Sequence, residues 1–174
     1  MKTIIVCYSY TRNNLVLAGE ILVRTGGTLF VIEERKPRSK FTILFDLMFN
    51  RVPRIKDFPY LPDQFDHYIL VGPIWGGKIA SPLKAFINKA GSRMPSYSFI
   101  TVCGGAPNQK EKITNELATL VHKEPLMVTE LSLSEYLGHP KGILDFNINK
   151  EQLSFFDSKI DEFLEEIGTL RVVS

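Results

Sequence analysis

Short apolar runs alternate along this chain with segments in which apolar residues recur every three or four positions. The runs are typical of buried β-strands, and the recurring pattern is typical of helices. Five strands are predicted, at residues 4–8, 29–32, 67–71, 99–103 and 126–131. Strands that alternate with helices favour a parallel sheet joined by right-handed crossovers, with helices on both faces. The chain is therefore predicted to be a single α/β domain over residues 1–174.

The helices between these strands carry recognisable start and stop signals. The first should end at Gly26 and Gly27, another should begin at Pro82, and a third should begin with a capping box formed by Asn108 and Glu111. The inner face predicted for the first helix is Leu15, Ala18, Leu22 and Val23. The inner face predicted for the last helix is Leu153, Phe156, Ile160, Phe163, Leu164 and Ile167.

The loop after the first strand is rich in hydroxyl and amide side chains and leads directly into a helix. It consists of Ser9, Tyr10, Thr11, Arg12, Asn13 and Asn14. A helix start offers unpaired backbone N–H groups and a partial positive charge, which together attract phosphate. The same residue types also cap helices and shape turns in proteins of every kind. For this loop alone, the two interpretations stand about even.

Two more loops follow the third and fourth strands. The loop after the third strand contains the chain's only tryptophan, within Pro73, Ile74, Trp75, Gly76 and Gly77. Glycines let a backbone approach a planar ligand closely, and an indole offers a face for stacking, although a core tryptophan beside a turn would look the same. The loop after the fourth strand contains Cys103, Gly104, Gly105 and Ala106.

Taken together, the three loops resemble the flavodoxin family. The motifs are Ser-x-Thr-x-Asn after the first strand, Gly-Pro-x-Trp-x-Gly with Ser81 to Phe86 after the third, and a glycine-rich loop after the fourth. They follow the family's order over nearly the whole chain. The resemblance implies a doubly wound five-stranded parallel sheet of order 2-1-3-4-5 that binds flavin mononucleotide (FMN) where strands one and three diverge.

The resemblance also assigns a role to each loop. The first loop would hold the FMN phosphate through Ser9, Thr11, Asn13 and Asn14, with Tyr10 and Arg12 beside them. The ring would be flanked by Pro73, Ile74, Trp75, Gly76 and Gly77. Its pyrimidine end would be closed by Cys103, Gly104, Gly105 and Ala106.

Three departures from the family pattern concern the same loops. Asn14 replaces a usual hydroxyl, and Arg12 brings a charge that either bonds the phosphate or, as slightly favoured, points into water. The third loop lacks the tyrosine that covers the outer face of the ring in flavodoxins. Either Tyr10 or Tyr136 could replace it, or the ring could be open to a second molecule.

Charge separates this chain from the usually acidic flavodoxins, because its net charge is +2. Seven cationic residues against Asp46 alone give residues 35–56 a charge of +6, so the remainder carries about −4. Within this stretch, the spacing of Phe41, Leu44, Phe45 and Met48 predicts a helical face. We expect that face to pack on its own domain; contact with an anionic membrane or a partner through residues 40–50 is less favoured. Alternatively, the charge attracts the phosphates of NAD(P)H.

Other classes of protein fit less well. Cys7 and Arg12 are one residue too close for a Cys-based phosphatase loop, and the strand ends lack the carboxylates of a receiver domain. The histidines have no metal-ligand spacing. With strand three between them, Cys7 and Cys103 are too far apart for a disulfide, and no leader or membrane span is predicted, so a cytoplasmic location is expected.

The favoured function is an FMN-binding redox protein, and more narrowly an NAD(P)H-linked reductase of quinones or similar small acceptors. The alternatives are a one-electron carrier that meets a redox partner protein, and an interaction module with weak or no FMN binding. No side chain is predicted to be a catalytic acid or base. No nucleic-acid partner is expected, and a homodimer stays open.

Overall fold

A computed structural model describes residues 1–36, 40–49, 51–139 and 146–168 of the chain. Its centre is a five-stranded, fully parallel sheet of order β2-β1-β3-β6-β7, which confirms the predicted fold class. The strands of this sheet are β1 (Thr3–Cys7), β2 (Thr28–Val31), β3 (His67–Val71), β6 (Tyr97–Cys103) and β7 (Val128–Ser132). A separate two-stranded antiparallel hairpin is formed by β4 (Ile74–Trp75) and β5 (Lys78–Ile79).

A helix lies between each pair of consecutive strands of the parallel sheet, as the alternating pattern predicts, and other helices follow the last strand. They are α1 (Asn13–Thr25), α2 (Lys40–Phe49), α3 (Ser81–Ala90), α4 (Gln109–Val121), α5 (Leu133–Leu137), α6 (Lys150–Leu153) and α7 (Asp157–Glu166). Short 3₁₀ turns lie at Pro62–Gln64, Gly91–Arg93 and Ser154–Phe156.

The sheet separates two apolar layers. Along β1, Ile4 and Val6 face the layer that includes α3 and α4, while Ile5 and Cys7 face the layer that includes α1 and α7. Neighbouring side chains of a strand point to opposite faces, so a strand covered on both sides must be apolar throughout. This is why β1 and β3 read as unbroken apolar runs.

Two sequence predictions about helix details are wrong, one of them only in part. In α1, Ala18 is buried and Leu15 and Leu22 are partly buried, as predicted. Val23, five positions after Ala18, turns away from this face and is 71% exposed, and the buried face is centred on Leu17, Ala18 and Ile21. Asn108 forms no capping box with Glu111, since its backbone is left-handed (φ 55°) and its side chain makes no cap bond. The described capping box is instead formed by Asn149 and Gln152 at the start of α6.

The C-terminal helix is interrupted but buries the face that was predicted. A 3₁₀ turn, Ser154–Phe156, separates α6 from α7. All six predicted inner residues are nonetheless buried: Leu153, Phe156, Ile160, Phe163, Leu164 and Ile167. Before α6, residues 140–145 of the long predicted connection lie outside the described part of the chain.

The basic segment forms the predicted helix α2, and two of its four predicted inner residues are exposed rather than packed inward. Phe45 is 48% exposed and Met48 is 67% exposed. The predicted inner positions Phe41 and Leu44 lie outside the described side chains. None of the helices in the described part of the chain has the length and apolar character needed to span a membrane.

Candidate functional site

Three loops leave the sheet side by side at its carboxyl edge. In the register of the sheet, Cys7 is level with Val71, and Val71 is level with Ile100. The backbone N–H of Tyr8 donates to the Val71 carbonyl at 2.9 Å, which continues the pairing into the first loop. The loops that begin after β1, β3 and β6 therefore open onto one region, as the sequence predicts.

The first loop enters α1 through a left-handed residue. Arg12 has φ 71° and ψ −14°, and its carbonyl accepts bonds from the N–H groups of Leu15 and Val16 at 2.9 and 3.0 Å. No side chain in the described part of the chain caps this helix start, and the first turn carries no acidic residue. The opening N–H groups of α1 are consequently left for an external acceptor.

The amide side chains of Asn13 and Asn14 are occupied by the fold. Asn13 donates to the Phe146 carbonyl at 2.8 Å and accepts from the Ile148 N–H at 2.9 Å. Asn14 donates to the Val102 carbonyl at 3.1 Å and accepts from the Val102 N–H at 2.9 Å. These bonds tie the start of α1 to β6 and to the segment before α6. Both residues can therefore offer a ligand their backbone N–H groups but not their side chains.

The remaining polar groups of the first loop are available. The Ser9 hydroxyl is buried and has no hydrogen-bond partner among the described residues. Thr11 is half-buried, and the Arg12 side chain is exposed. A buried hydroxyl without a partner is costly, which makes Ser9 a natural donor to an anion held at the helix start.

The second loop contains a tight hairpin that was not predicted. Trp75 pairs with Lys78, and the two-residue turn between them has positive φ at Gly76 (55°) and Gly77 (76°). Such a turn requires positive φ at both central positions, and glycine adopts it without strain. No atom of the described residues lies within 4 Å of a Cβ built at Gly77, so this side of the turn is open.

Tyr8, which directly follows β1, and Tyr10 of the first loop both lie against Trp75. The ring centroids of Tyr8 and Trp75 are 5.8 Å apart, those of Tyr10 and Trp75 are 6.3 Å apart, and both pairs are edge-to-face. Tyr10 is 37% exposed. Tyr136 instead packs among Phe146, Phe155 and Phe156. Of the two tyrosines weighed from the sequence, the structure therefore brings Tyr10 to the tryptophan.

A largely buried ion pair between α3 and α4 anchors the hairpin. Glu116 on α4 accepts the Ile79 N–H at 2.8 Å and pairs with the Lys84 ammonium at 2.5 Å. Sequence reasoning missed this pair, although a lysine inside the otherwise buried run 81–87 is an available signal. The pair therefore holds β5, the strand after Gly77, in position.

The third loop packs tightly against the end of β7. Gly105 has φ 82°, and a Cβ there would lie 1.9 Å from the Ser132 hydroxyl oxygen. Gly104 and Ala106, on either side of Gly105, are both exposed. The Gln109 side chain donates to Glu130 at 2.9 Å and to the Cys103 sulfur at 3.4 Å.

Both cysteines are buried free thiols. Burial raises the pKa of Cys7 to about 12, and burial together with Glu130 raises the pKa of Cys103 to about 11. The thiolate is the reactive form, so neither residue is suited to redox or nucleophilic chemistry at neutral pH. Among the described residues, no cluster of His, Cys, Asp or Glu could hold a metal ion.

The groups at this edge fit FMN. The unpartnered Ser9 hydroxyl and the uncapped start of α1 suit a phosphate, and the half-buried Trp75 beside an open glycine turn suits a flat ring. Glu34 accepts a bond from the Tyr8 hydroxyl at 2.8 Å. Glu34 also borders a neighbouring cavity of about 430 Å³, which is lined by Glu34, Arg35, Lys36, Thr42, Asp46, Pro53 and Arg54.

Comparisons with known proteins find similarity in structure. No protein-family model and no curated protein matches the sequence. A flavoprotein from Lactobacillus acidophilus NCFM, solved in complex with FMN, is 14% identical with a TM-score of 0.64, over 79% of this chain and 96% of that one. The apo form of the flavoprotein from the same organism gives a TM-score of 0.61 at 14% identity, over 77% and 94%.

Smu.1420 from Streptococcus mutans UA159 is also similar, with a TM-score of 0.54 at 14% identity, over 93% of this chain and 98% of that one. At this level of identity the similarity concerns the fold. The strand order, the parallel pairing and these neighbours agree, and the chain has the flavodoxin-like fold that its loop motifs predict.

Proposed function

We propose that this protein binds FMN at the carboxyl edge of its sheet and works as an NAD(P)H-linked reductase of quinones or similar small acceptors. The observation that carries the proposal is the position of Trp75. It stands half-buried beside Tyr10 and a glycine turn, at the same edge as the uncapped start of α1. The similar flavoprotein solved with FMN supports the choice of cofactor.

The first loop would hold the phosphate, and the second would border the ring. The Ser9 hydroxyl and the N–H groups at the start of α1 would donate to the phosphate oxygens. Trp75 would contact the ring, and Gly104, Gly105 and Ala106 would border its remaining edge. Bound FMN supplies two-electron chemistry: a hydride from NAD(P)H and one proton from water convert a quinone to a hydroquinone.

The local charge supports a reductase over a carrier. Residues 35–56 carry a charge of +6, and this segment begins after the carboxyl end of β2, which lies at the same edge of the sheet as the three loops. Positive charge there raises the local concentration of a nucleotide phosphate. A carrier that meets basic partner proteins would be served better by an acidic rim.

The first test compares FMN with riboflavin, which lacks the phosphate. We expect riboflavin to bind at least about tenfold more weakly in a fluorescence titration, because charge-assisted bonds to the phosphate are lost. The variant Ser9→Ala should weaken FMN binding and leave riboflavin binding unchanged, whereas Ser92→Ala, at an exposed position, should change neither. Equal affinity for the two flavins would contradict the proposed phosphate loop.

The second test separates the reductase from its alternatives. NADPH absorbance is followed with FMN-loaded protein, with and without a soluble quinone. Steady turnover supports the reductase, whereas a stable semiquinone without turnover supports the carrier. A colourless protein whose melting temperature does not respond to FMN supports the interaction module, since a tight ligand stabilises the folded state by mass action.

A further inference from the structure

Three large apolar side chains of α2 and one just after it are exposed to solvent. Phe45, Met48, Phe49 and Val52 are 48%, 67%, 56% and 44% exposed, and we refer to these four residues as the α2 face. The rings of Phe45 and Phe49 have centroids 4.5 Å apart, so the surface is continuous there. Single exposed apolar residues are common, but a contiguous group marks a surface that is covered by something else.

The described part of the domain leaves a large part of each side chain of the α2 face in solvent. Thr42 and Asp46 of the same helix line the cavity of about 430 Å³ together with residues 34–36 and 53–54. Val52 borders two further cavities beside α3.

Exposed cationic residues precede and follow α2 in the sequence. Arg35, Lys36, Arg51, Arg54 and Lys56 are all exposed, and of these Arg35 pairs with Asp57 and Lys56 pairs with Glu33. The Arg51 guanidinium carbon lies 5.8 Å from the centre of the Phe45 ring, so charge and apolar surface are in direct contact. Apolar and aromatic side chains ringed by Lys and Arg match the headgroup and acyl layers of an anionic bilayer.

We propose that the α2 face docks reversibly on an anionic membrane and brings the Trp75 site to quinones dissolved in that membrane. The claim about quinones rests on the proposed function, whereas the docking does not. A bilayer fits better than an acidic protein because the apolar surface is a single convex helix with cations spread around it. A protein partner would need a concave groove lined with carboxylates that matches this arrangement.

Contacts connect the segments that flank α2 to the candidate flavin site. The Arg35 N–H donates to the Arg54 carbonyl at 3.0 Å, which joins the two segments that flank α2. The neighbouring Glu34 accepts the Tyr8 hydroxyl, and Tyr8 lies against Trp75. Docking through α2 therefore places the carboxyl edge of the sheet near the membrane surface.

The experiment is sedimentation of the full-length protein with vesicles of phosphatidylcholine alone or mixed with phosphatidylglycerol, with no flavin added. We expect binding to the mixed vesicles only, and less of it at high salt. The double variant Met48→Ser with Phe49→Ser should bind at least about tenfold more weakly. The matched control, Leu61→Ser with Leu126→Ser, removes two apolar side chains of similar exposure elsewhere and should bind normally.

A second pair of variants tests the charge. Arg51→Gln with Arg54→Gln should weaken vesicle binding by about tenfold, and Lys110→Gln with Lys112→Gln on exposed α4 should not. Absence of binding to anionic vesicles overturns the inference. So does a dimer in solution that Met48→Ser with Phe49→Ser converts to a monomer, because a second copy would then cover the α2 face.

The vesicle assay needs neither FMN nor NADPH, so it can succeed when the reductase proposal fails. If the reductase is active, Met48→Ser with Phe49→Ser should slow reduction of a long-chain quinone held in anionic vesicles. Reduction of a water-soluble quinone should be unchanged. Equal rates with the long-chain quinone for the variant and the natural protein overturn delivery to membrane quinones.

Discussion

Glu116 holds the backbone of Ile79 with a 2.8 Å hydrogen bond while its other oxygen pairs with Lys84. This contact crosses from α4 to the hairpin that carries Trp75. The side chains of Lys84 and Glu116 are 11% and 21% exposed, so the pair is largely shielded from water. One carboxylate therefore stabilises the packing of α3 on α4 and also the hairpin of the candidate ring site.

Replacing Glu116 by Ala should lower the free energy of unfolding by about 1–3 kcal/mol, because Lys84 is left without its anion and Ile79 without its acceptor. FMN binding should weaken as well, since the Trp75 hairpin loses its anchor. Urea unfolding of the flavin-free protein and a fluorescence titration with FMN measure the two effects. Glu162→Ala, at an exposed position on α7, is the control. An unchanged unfolding midpoint in Glu116→Ala would show that the pair is dispensable.

Gly105→Ala should be among the most damaging small substitutions in the chain. The new Cβ would meet the Ser132 oxygen at 1.9 Å, and the backbone has φ 82°. Gly138 has a similar φ of 70° with nothing within 4 Å, so Gly138→Ala carries the backbone strain without the clash.

We expect Gly138→Ala to cost about 1 kcal/mol and Gly105→Ala at least about 2 kcal/mol more. Thermal melting and urea unfolding measure the loss of stability in each of the two variants. Similar losses in both would mean that the third loop moves away from Ser132 easily.

The fold could be predicted from the sequence because its signals are local. Apolar runs and helical periodicity lie within short windows, and they predict the alternating strands and helices. The sheet order was implied by the resemblance of the three loops to the flavodoxin family, and the structure shows that order. The Trp75 hairpin was missed although Gly76 and Gly77 are a hairpin signal. Its strands are two residues long, too short to show alternation.

The site details that could not be predicted depend on residues far apart in the chain. Asn13 and Asn14 have the residue types of a helix cap, but their side chains bond across 133 and 88 positions. Glu116 and Lys84 meet only once α3 and α4 have packed. The exposure of the α2 face depends on where the crossover after β2 lies, which periodicity does not specify.

Asn14 gives a test of whether the first loop depends on its cross-sheet bonds. Asn14→Ala removes both bonds to Val102 at a site that is 2% exposed, and it should cost about 2–3 kcal/mol. Asn115→Ala, on an exposed turn of α4, should stay within about 0.5 kcal/mol of the natural protein. Urea unfolding measures both, and equal stability of the two variants would contradict the structural role of Asn14.

His67 should make stability depend on pH. It is fully buried at the start of β3, and burial lowers its pKa from 6.5 to about 4. Between these two values the unfolded chain binds a proton that the folded chain does not, so stability rises with pH. Because of this group, the free energy of unfolding is highest above pH 6.5, decreases progressively as the pH falls from 6.5 to about 4, and is constant below that.

Up to about 2 kcal/mol should therefore be lost between pH 6.5 and pH 5 because of this group. Urea unfolding at both pH values should show a smaller pH dependence in His67→Leu than in the natural protein. His122→Leu, which changes an exposed histidine, should keep the natural dependence. Carboxylates that titrate in the same range act equally in all three proteins, so the difference between them isolates His67. Parallel pH profiles for His67→Leu and the natural protein would show that the buried imidazole is not the group responsible.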